Sequence, residues 1–220
     1  MKAVCLLSGG MDSSTMTFLA RQEGYEILAL HTFYGQRTGK REHACARAIA
    51  SAVGAIEFLD VPIDYLTRIG GSSLTDTSLE IPDFTSEEGI PNTYVPFRNG
   101  NLLSIATSVA EARGAEAIFI GVQSSDYSGY PDCRPEFIEA FGRVVELGTA
   151  TEQKIAIRAP FIHMNKREIL KIGMRLGVPY EHTWSCYRSD EPACGRCSSC
   201  HFRLQAFRQL GVSDPIRYER

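Results

Sequence analysis

Ala3-Val4-Cys5-Leu6-Leu7-Ser8-Gly9-Gly10-Met11-Asp12-Ser13-Ser14 decides the fold. Ala3 to Leu7 is an apolar run with the length of a buried strand, Ser8 to Ser13 is a turn of small residues, and Ser14 to Glu23 reads as a helix. A strand that passes through a glycine turn into a helix makes an anion site. Glycine lets the backbone approach a ligand and take positive φ, Ser8, Ser13 and Ser14 add hydroxyls, and the helix start offers unpaired N–H groups and a positive dipole end. The turn has no Lys of the kind that reaches the β- and γ-phosphates in a Walker loop, so it suits a departing pyrophosphate better than γ-phosphoryl transfer.

Outward from this stretch, strands are predicted at Tyr25 to Thr32, Ile56 to Val61, Ala117 to Val122 and Lys154 to Phe161. Helices are predicted at Lys40 to Val53, Leu102 to Arg113, Pro135 to Leu147 and Lys166 to Leu176, with a last one reaching about Leu210. Glycines close several of them, and Pro135 opens another. A βαβαβ opening implies a parallel sheet with right-handed crossovers, whose strand ends form the ligand edge. Pro62 to Tyr94 is turn-rich, with one short helix near Ile63 to Ile69, and reads as a long loop over that edge, either a lid or a partner contact.

With 220 residues the chain suffices for one α/β domain and a small appendage. We divide it into a nucleotide-binding domain, 1–180, and a C-terminal subdomain, 181–220. The formal charge is −3, so the overall balance favours no nucleic-acid partner. No apolar run approaches the roughly 20 residues of a membrane span, and the expected location is cytoplasmic.

The cysteines are odd in number, with Cys186, Cys194, Cys197 and Cys200 crowded near the end. Four thiolates at this spacing suit a structural, tetrahedral Zn²⁺, with an iron–sulfur cluster as the competing occupant. Cys5 and Cys45 are read as core residues, and His31, His43 and His163 as packed or surface histidines.

Other constellations carry charge to the same edge. In Tyr34-Gly35-Gln36-Arg37, Arg37 either neutralises phosphate together with Lys40 and Arg41 or belongs to a solvated helix face. In Val95-Pro96-Phe97-Arg98-Asn99-Gly100-Asn101, Asn99 or Asn101 can cap the following helix, while Arg98 at a helix N-terminus calls for an anion. Lys166 begins a helix with the same mismatch against the dipole. The run from Ser124 to Arg134 contains Tyr127 and Tyr130, which can stack on a base. It also holds Asp126 and Asp132, which can accept from a guanine-like edge, and Arg134, which can meet a carboxylate; a surface loop is the alternative.

The Ser-Gly-Gly-Met-Asp-Ser turn resembles the pyrophosphate loop of the N-type ATP pyrophosphatases. Together with Tyr34-Gly35-Gln36-Arg37, Pro96-Phe97-Arg98-Asn99, Gly129-Tyr130-Pro131-Asp132-Cys133-Arg134 and the cysteine cluster after Thr183-Trp184-Ser185-Cys186, it resembles the 7-cyano-7-deazaguanine synthases over Lys2 to Arg208. That resemblance implies a five-stranded parallel sheet with helices on both faces, Rossmann-like and of the adenine nucleotide alpha hydrolase type, plus a C-terminal zinc knuckle and helix. It implies ATP held by Ser8, Gly9, Gly10, Met11, Asp12, Ser13 and Ser14, with Leu30, His31 and Thr32 at the adenine and Gly121 beside it. Catalytic roles would fall to Ser8, Asp12, Ser13, Arg98 and Lys166. The deazaguanine would be bound by Gln36, Arg37, Arg98, Asn99, Asp126, Tyr127, Tyr130, Asp132 and Arg134.

The reaction implied joins 7-carboxy-7-deazaguanine, ATP and ammonia, with Mg²⁺ on the phosphates, Asp12 a ligand to it, and a homodimer as the assembly. Location alone offers Asp126 and Asp132 as the base. An amide-forming relative or a tRNA thiolase is the alternative.

Overall fold

The computed structural model describes residues 1–86, 89–123, 129–151 and 153–219. A five-stranded sheet lies at the centre, in the order β3-β2-β1-β4-β5. Its strands are β1 (Lys2–Leu6), β2 (Glu26–Phe33), β3 (Glu57–Pro62), β4 (Ala117–Phe119) and β5 (Ala156–Arg158). Every adjacent pair is parallel, with Val4 opposite both Leu28 and Ile118. The chain leaves β1 towards β2 and later returns on its other side to β4, which puts a topological switch point at the carboxyl end of β1. The Ser8 turn occupies that point.

Alternation along β1 serves two cores. Ala3, Cys5 and Leu7 face helices α1 (Met11–Gln22), α2 (Gly39–Val53) and α6 (Lys166–Leu176), through Met16, Ile49 and Ile169. Val4 and Leu6 face α4 (Arg98–Arg113) and α5 (Pro135–Gly148), through Leu103, Ala106 and Ile138. Both faces are apolar because each lies under helices, and each fully buried Leu, Ile or Phe contributes about 1.5–3 kcal/mol. Cys5 is buried in the first of these cores, and Cys45 in the cluster shared with the C-terminal segment, as expected of core residues.

A short helix α3 (Tyr65–Ile69) begins the long connection after β3, and α7 (Ser198–Gln209) closes the chain. The C-terminal residues Trp184, Cys186 and Ala193 share an apolar cluster with Tyr34, Leu66, Leu74 and Val95.

Several boundaries differ from the sequence reading. α1 starts at Met11, three residues earlier than Ser14, with Gly10 as an extended N-cap, φ −77°. Of the two turn glycines only Gly9 has positive φ, +82°. A Cβ on Gly9 would stand 2.5 Å from the Glu42 carbonyl oxygen, so this glycine lets α2 pack against the turn. β4 stops at Phe119 because Gly121 turns past α1, where an added Cβ would lie 3.2 Å from the Ser13 nitrogen.

α4 begins at Arg98, and neither Asn99 nor Asn101 caps it. Its N-terminus is satisfied by a distant residue: Asn99 N donates to Asp132 Oδ2 at 2.8 Å, while Asn101 Nδ2 donates back to the Phe97 carbonyl. α6 is closed at its start by a capping box between Asn165 and Glu168.

Candidate active site

A cavity of ≈ 660 Å³ opens over the carboxyl ends of β1, β2 and β4. This volume lies within the range of small-molecule sites. The turn after β1 forms its floor through Ser8, Gly10, Met11, Asp12 and Ser13. The turn is tied internally: Ser8 N and Oγ meet Ser13 Oγ at 3.2 and 2.9 Å, and Gly10 N donates to Ser8 Oγ at 3.2 Å. From outside, Trp184 N donates to the Gly9 carbonyl at 2.9 Å, and Tyr180 OH meets Thr15 Oγ1 at 2.8 Å. The loop is thus fixed before any ligand arrives, which lowers the ordering cost of binding.

Lys166, at the start of α6, reaches Asp12 Oδ2 from 154 residues away and lies on the cavity wall. Asp12 Oδ1 is buried and has no hydrogen-bond partner. Arg98, the first residue of α4, enters from the other side, where its Nη1 donates to Tyr34 OH at 2.9 Å. No carboxylate lies within ion-pair distance of Arg98 among the described residues. Two cations and the dipole ends of α1 and α4 therefore face one space, an arrangement that favours an anionic ligand.

Leu30, Thr32, Gln36, Asn99, Gly121 and Tyr130 also line the cavity. Gln36 Oε1 accepts from Tyr34 N at 2.9 Å, and its Nε2 donates to Glu42 Oε2 at 3.0 Å. Tyr130 OH meets Thr93 Oγ1 at 2.9 Å, with its ring 5.2 Å from that of Tyr94. Burial pushes the Cys133 thiol up to about 11, and Asn99 Nδ2 lies 3.3 Å from its sulfur, so it stays protonated rather than serving as a nucleophile.

Gly9, Ser14, His31, Arg37, Asp132 and Arg134 lie off the cavity wall. Ser14 lies within α1 and is fully buried. His31 turns to the opposite face of β2, where Nδ1 pairs with the Leu7 carbonyl at 2.9 Å and burial holds its pKa below the usual value. Arg37 was expected at the substrate. Its guanidinium instead donates to the carbonyls of Ser73, Asp76 and Leu79, which pins the long loop. Asp132 is spent on the N-terminus of α4, although its Oδ1 is buried and unpaired. Arg134 is exposed at the start of α5. Asp126 and Tyr127 lie outside the described residues.

The long loop forms part of the cavity wall through residues 82–85 and 89–93. It is stitched to the C-terminal segment: Phe84 N donates to the Arg196 carbonyl at 2.9 Å, and the Phe84 ring stacks on His201 at 3.9 Å.

Behind this wall the Cys186, Cys194, Cys197 and Cys200 sulfurs all lie within 4.8 Å of one another, and all four residues are buried. A tetrahedral ion with bonds of about 2.3 Å needs sulfurs about 3.8 Å apart, so one ion can reach all four with little movement. Backbone N–H groups of Arg188 and Cys194 point at the Cys186 sulfur, and those of Arg196 and Cys197 at the Cys194 sulfur, at 3.3–3.4 Å. Such donors stabilise thiolates.

The motif reading missed Glu42, Gln123, Trp184 and Arg203, all of which line the cavity. Trp184 stands inside the quoted Thr183 to Cys186 stretch without a role of its own there, and Glu42, Gln123 and Arg203 carry no local signal.

Residues 2–211 match the family described as queuosine biosynthesis protein QueC. The chain is 61% identical over 220 residues to a protein of Methanoculleus marisnigri named 7-cyano-7-deazaguanine synthase, covering 100% of this chain and 99% of that one. It is 63% identical over 219 residues to a protein of the same name from Methanospirillum hungatei, covering 99% and 100%. Among solved structures, a 4-thiouridine synthetase in complex with RNA and ATP superposes with a TM-score of 0.53 at 19% identity, over 96% of this chain and 50% of that one. A predicted tRNA methyltransferase subunit of Methanocaldococcus jannaschii gives 0.52 at 12%, over 100% and 93%. At these identities the structural likeness speaks for the fold alone. The glycine-serine turn at the switch point, the four-cysteine cluster behind it and the match along nearly the whole sequence lead to one conclusion: the chain belongs to the QueC family of queuosine biosynthesis proteins.

Proposed function

We propose that this chain is an ATP-dependent ligase that converts 7-carboxy-7-deazaguanine and ammonia to 7-cyano-7-deazaguanine. The observation that carries the reading is the convergence of the Ser8–Ser13 turn, Lys166 and Arg98 on one cavity in a member of this family. A carboxylate is a poor electrophile and an amide oxygen a poor leaving group, so each oxygen needs activation before it departs. ATP supplies this twice. The carboxylate attacks the α-phosphate, and pyrophosphate leaves into the turn, whose N–H groups, hydroxyls and Lys166 meet its charge. Ammonia displaces AMP to give the amide. The amide oxygen then attacks a second ATP, and loss of AMP with the two nitrogen protons leaves the nitrile.

In this reading Leu30 and Thr32 border the adenine, and Gln36, Asn99 and Tyr130 border the deazaguanine. Asp12, with one buried unpaired oxygen, would hold Mg²⁺, which supplies charge neutralisation on the phosphates. The four cysteines would hold Zn²⁺ with no position left for water, hence a structural ion. A homodimer, with the 62–94 loop near the contact, and a cytoplasmic location complete the proposal. Incubation with the carboxy compound, ATP, Mg²⁺ and ammonium, followed by mass analysis, tests it; accumulation of amide with no nitrile would refute the second activation.

A further inference from the structure

Nitrogen enters this reaction carrying protons that must leave, so the cavity needs a base. No histidine lines it among the described residues, and only three acids do: Asp12, Asp83 and Glu42. Asp12 is paired with Lys166. Asp83 is exposed and pairs with Arg188 and Arg196 at the mouth. Among the described residues Glu42 has no ion pair, and the side-chain partners it has there are neutral: Thr38 Oγ1 at 2.7 Å on Oε1 and Gln36 Nε2 at 3.0 Å on Oε2. Its position follows from α2, whose first turn packs against Gly9, so the residue stands beside the phosphate loop.

Resting on the adenylylation reading above, we propose that Glu42 is the general base that takes a proton from nitrogen when ammonia adds to the adenylylated carboxylate. The ammonia lone pair forms the C–N bond, and one proton of the adduct passes to a Glu42 oxygen. The C–O bond to the phosphate then breaks with its electron pair, releasing AMP and leaving the amide.

The local bonding accommodates both protonation states. Thr38 Oγ1 has one proton and two acceptors in reach, Glu42 Oε1 and the Cys186 carbonyl at 3.1 Å. It donates to Glu42 when the carboxylate is charged. When Glu42 is protonated it turns to the Cys186 carbonyl and accepts from the acid, with no heavy atom moving. Burial raises the pKa of Glu42, opposed by Thr38, Gln36 and Arg98 and reinforced by Asp190; Tyr34 and Cys45 are the other ionisable groups that sense its charge. A carboxyl shifted upward in a cleft is the form a base takes near neutral pH.

The test separates activation from amide formation in Glu42→Gln. Carboxylate-dependent exchange of labelled pyrophosphate into ATP reports adenylylation without ammonia, and hydroxylamine traps the adenylate as hydroxamate with little need of a base. The variant should keep exchange and hydroxamate formation within about threefold of wild type, while its ammonia-dependent product falls about 100-fold or more. Loss of exchange in proportion to product, or full activity with ammonia, would overturn the role of Glu42. No exchange in the wild-type enzyme would instead overturn the adenylylation reading itself, and the base with it.

Discussion

Replacing Asp214 by Ala strips one buried charge of its partner, together with the bonds that Asp214 accepts from Tyr218 OH at 2.7 Å and Ile216 N at 3.2 Å. Arg203, on α7 three residues after Cys200, is 1% exposed, and its Nε and Nη2 donate to the two oxygens of Asp214 at 2.7 and 2.9 Å, whose side chain is 3% exposed. Its other bonds go to Thr183 Oγ1 at 2.7 Å, the Tyr180 carbonyl at 3.1 Å and Ser185 Oγ at 3.4 Å, so among the described residues no other anion takes over. Breaking such a pair from one side leaves an uncompensated buried charge and costs about 3–5 kcal/mol. In a chain of this size each kcal/mol moves the melting temperature by about 2–4 °C, so a fall of about 6–20 °C is expected. Thermal unfolding at fixed protein concentration and neutral pH measures it. The double replacement Arg203→Met with Asp214→Leu removes both charges and should recover most of the loss. A single variant within about 2 °C of wild type, or a double variant no better than the single, would refute the reasoning.

Lys166→Met should lower kcat/KM about 100- to 1000-fold with a small change in melting temperature, because the lysine faces developing phosphate charge; steady-state kinetics and a melt read both. Gly9→Ala forces a side chain at φ +82° towards the Glu42 carbonyl, so ATP-analogue affinity should fall at least tenfold by calorimetry. Cys194→Ser should lower the bound zinc measured by metal analysis, and full retention would sink the four-sulfur site. The raised pKa of Glu42 gives a signed pH effect: the native state holds its proton to higher pH than the unfolded chain, so its favourable contribution is fully present at acid pH and is lost as pH rises through the native value. Melting of wild type relative to Glu42→Gln should therefore decline as pH rises from the ordinary carboxyl range through the native value, and a constant difference would contradict it.

The local chemistry was readable from sequence wherever a contact stays within a few residues. The Ser8–Ser13 turn between strand and helix, the cysteine spacing and the mismatch of Arg98 and Lys166 with their helix dipoles all led to the cavity or the knuckle. The failures are long-range. Nothing near Arg37 says that carbonyls 36 to 42 residues away will take its guanidinium. Nothing near Asn99 says that Asp132 will satisfy the helix start in place of an adjacent cap. Positive φ at Gly9 was readable from the turn, but the close approach of α2 was not, because tertiary packing sets it. Nothing near Glu42 in the sequence marks it either; only its tertiary surroundings, buried and without an ion pair among the described residues, single it out.

The central claim is that the turn after β1 receives a departing pyrophosphate while an oxygen of the substrate captures the adenylyl group. Quantifying the phosphorus products per nitrile formed tests it most directly. The account predicts AMP and pyrophosphate in equal amounts, two of each for every nitrile; ADP with inorganic phosphate would contradict it.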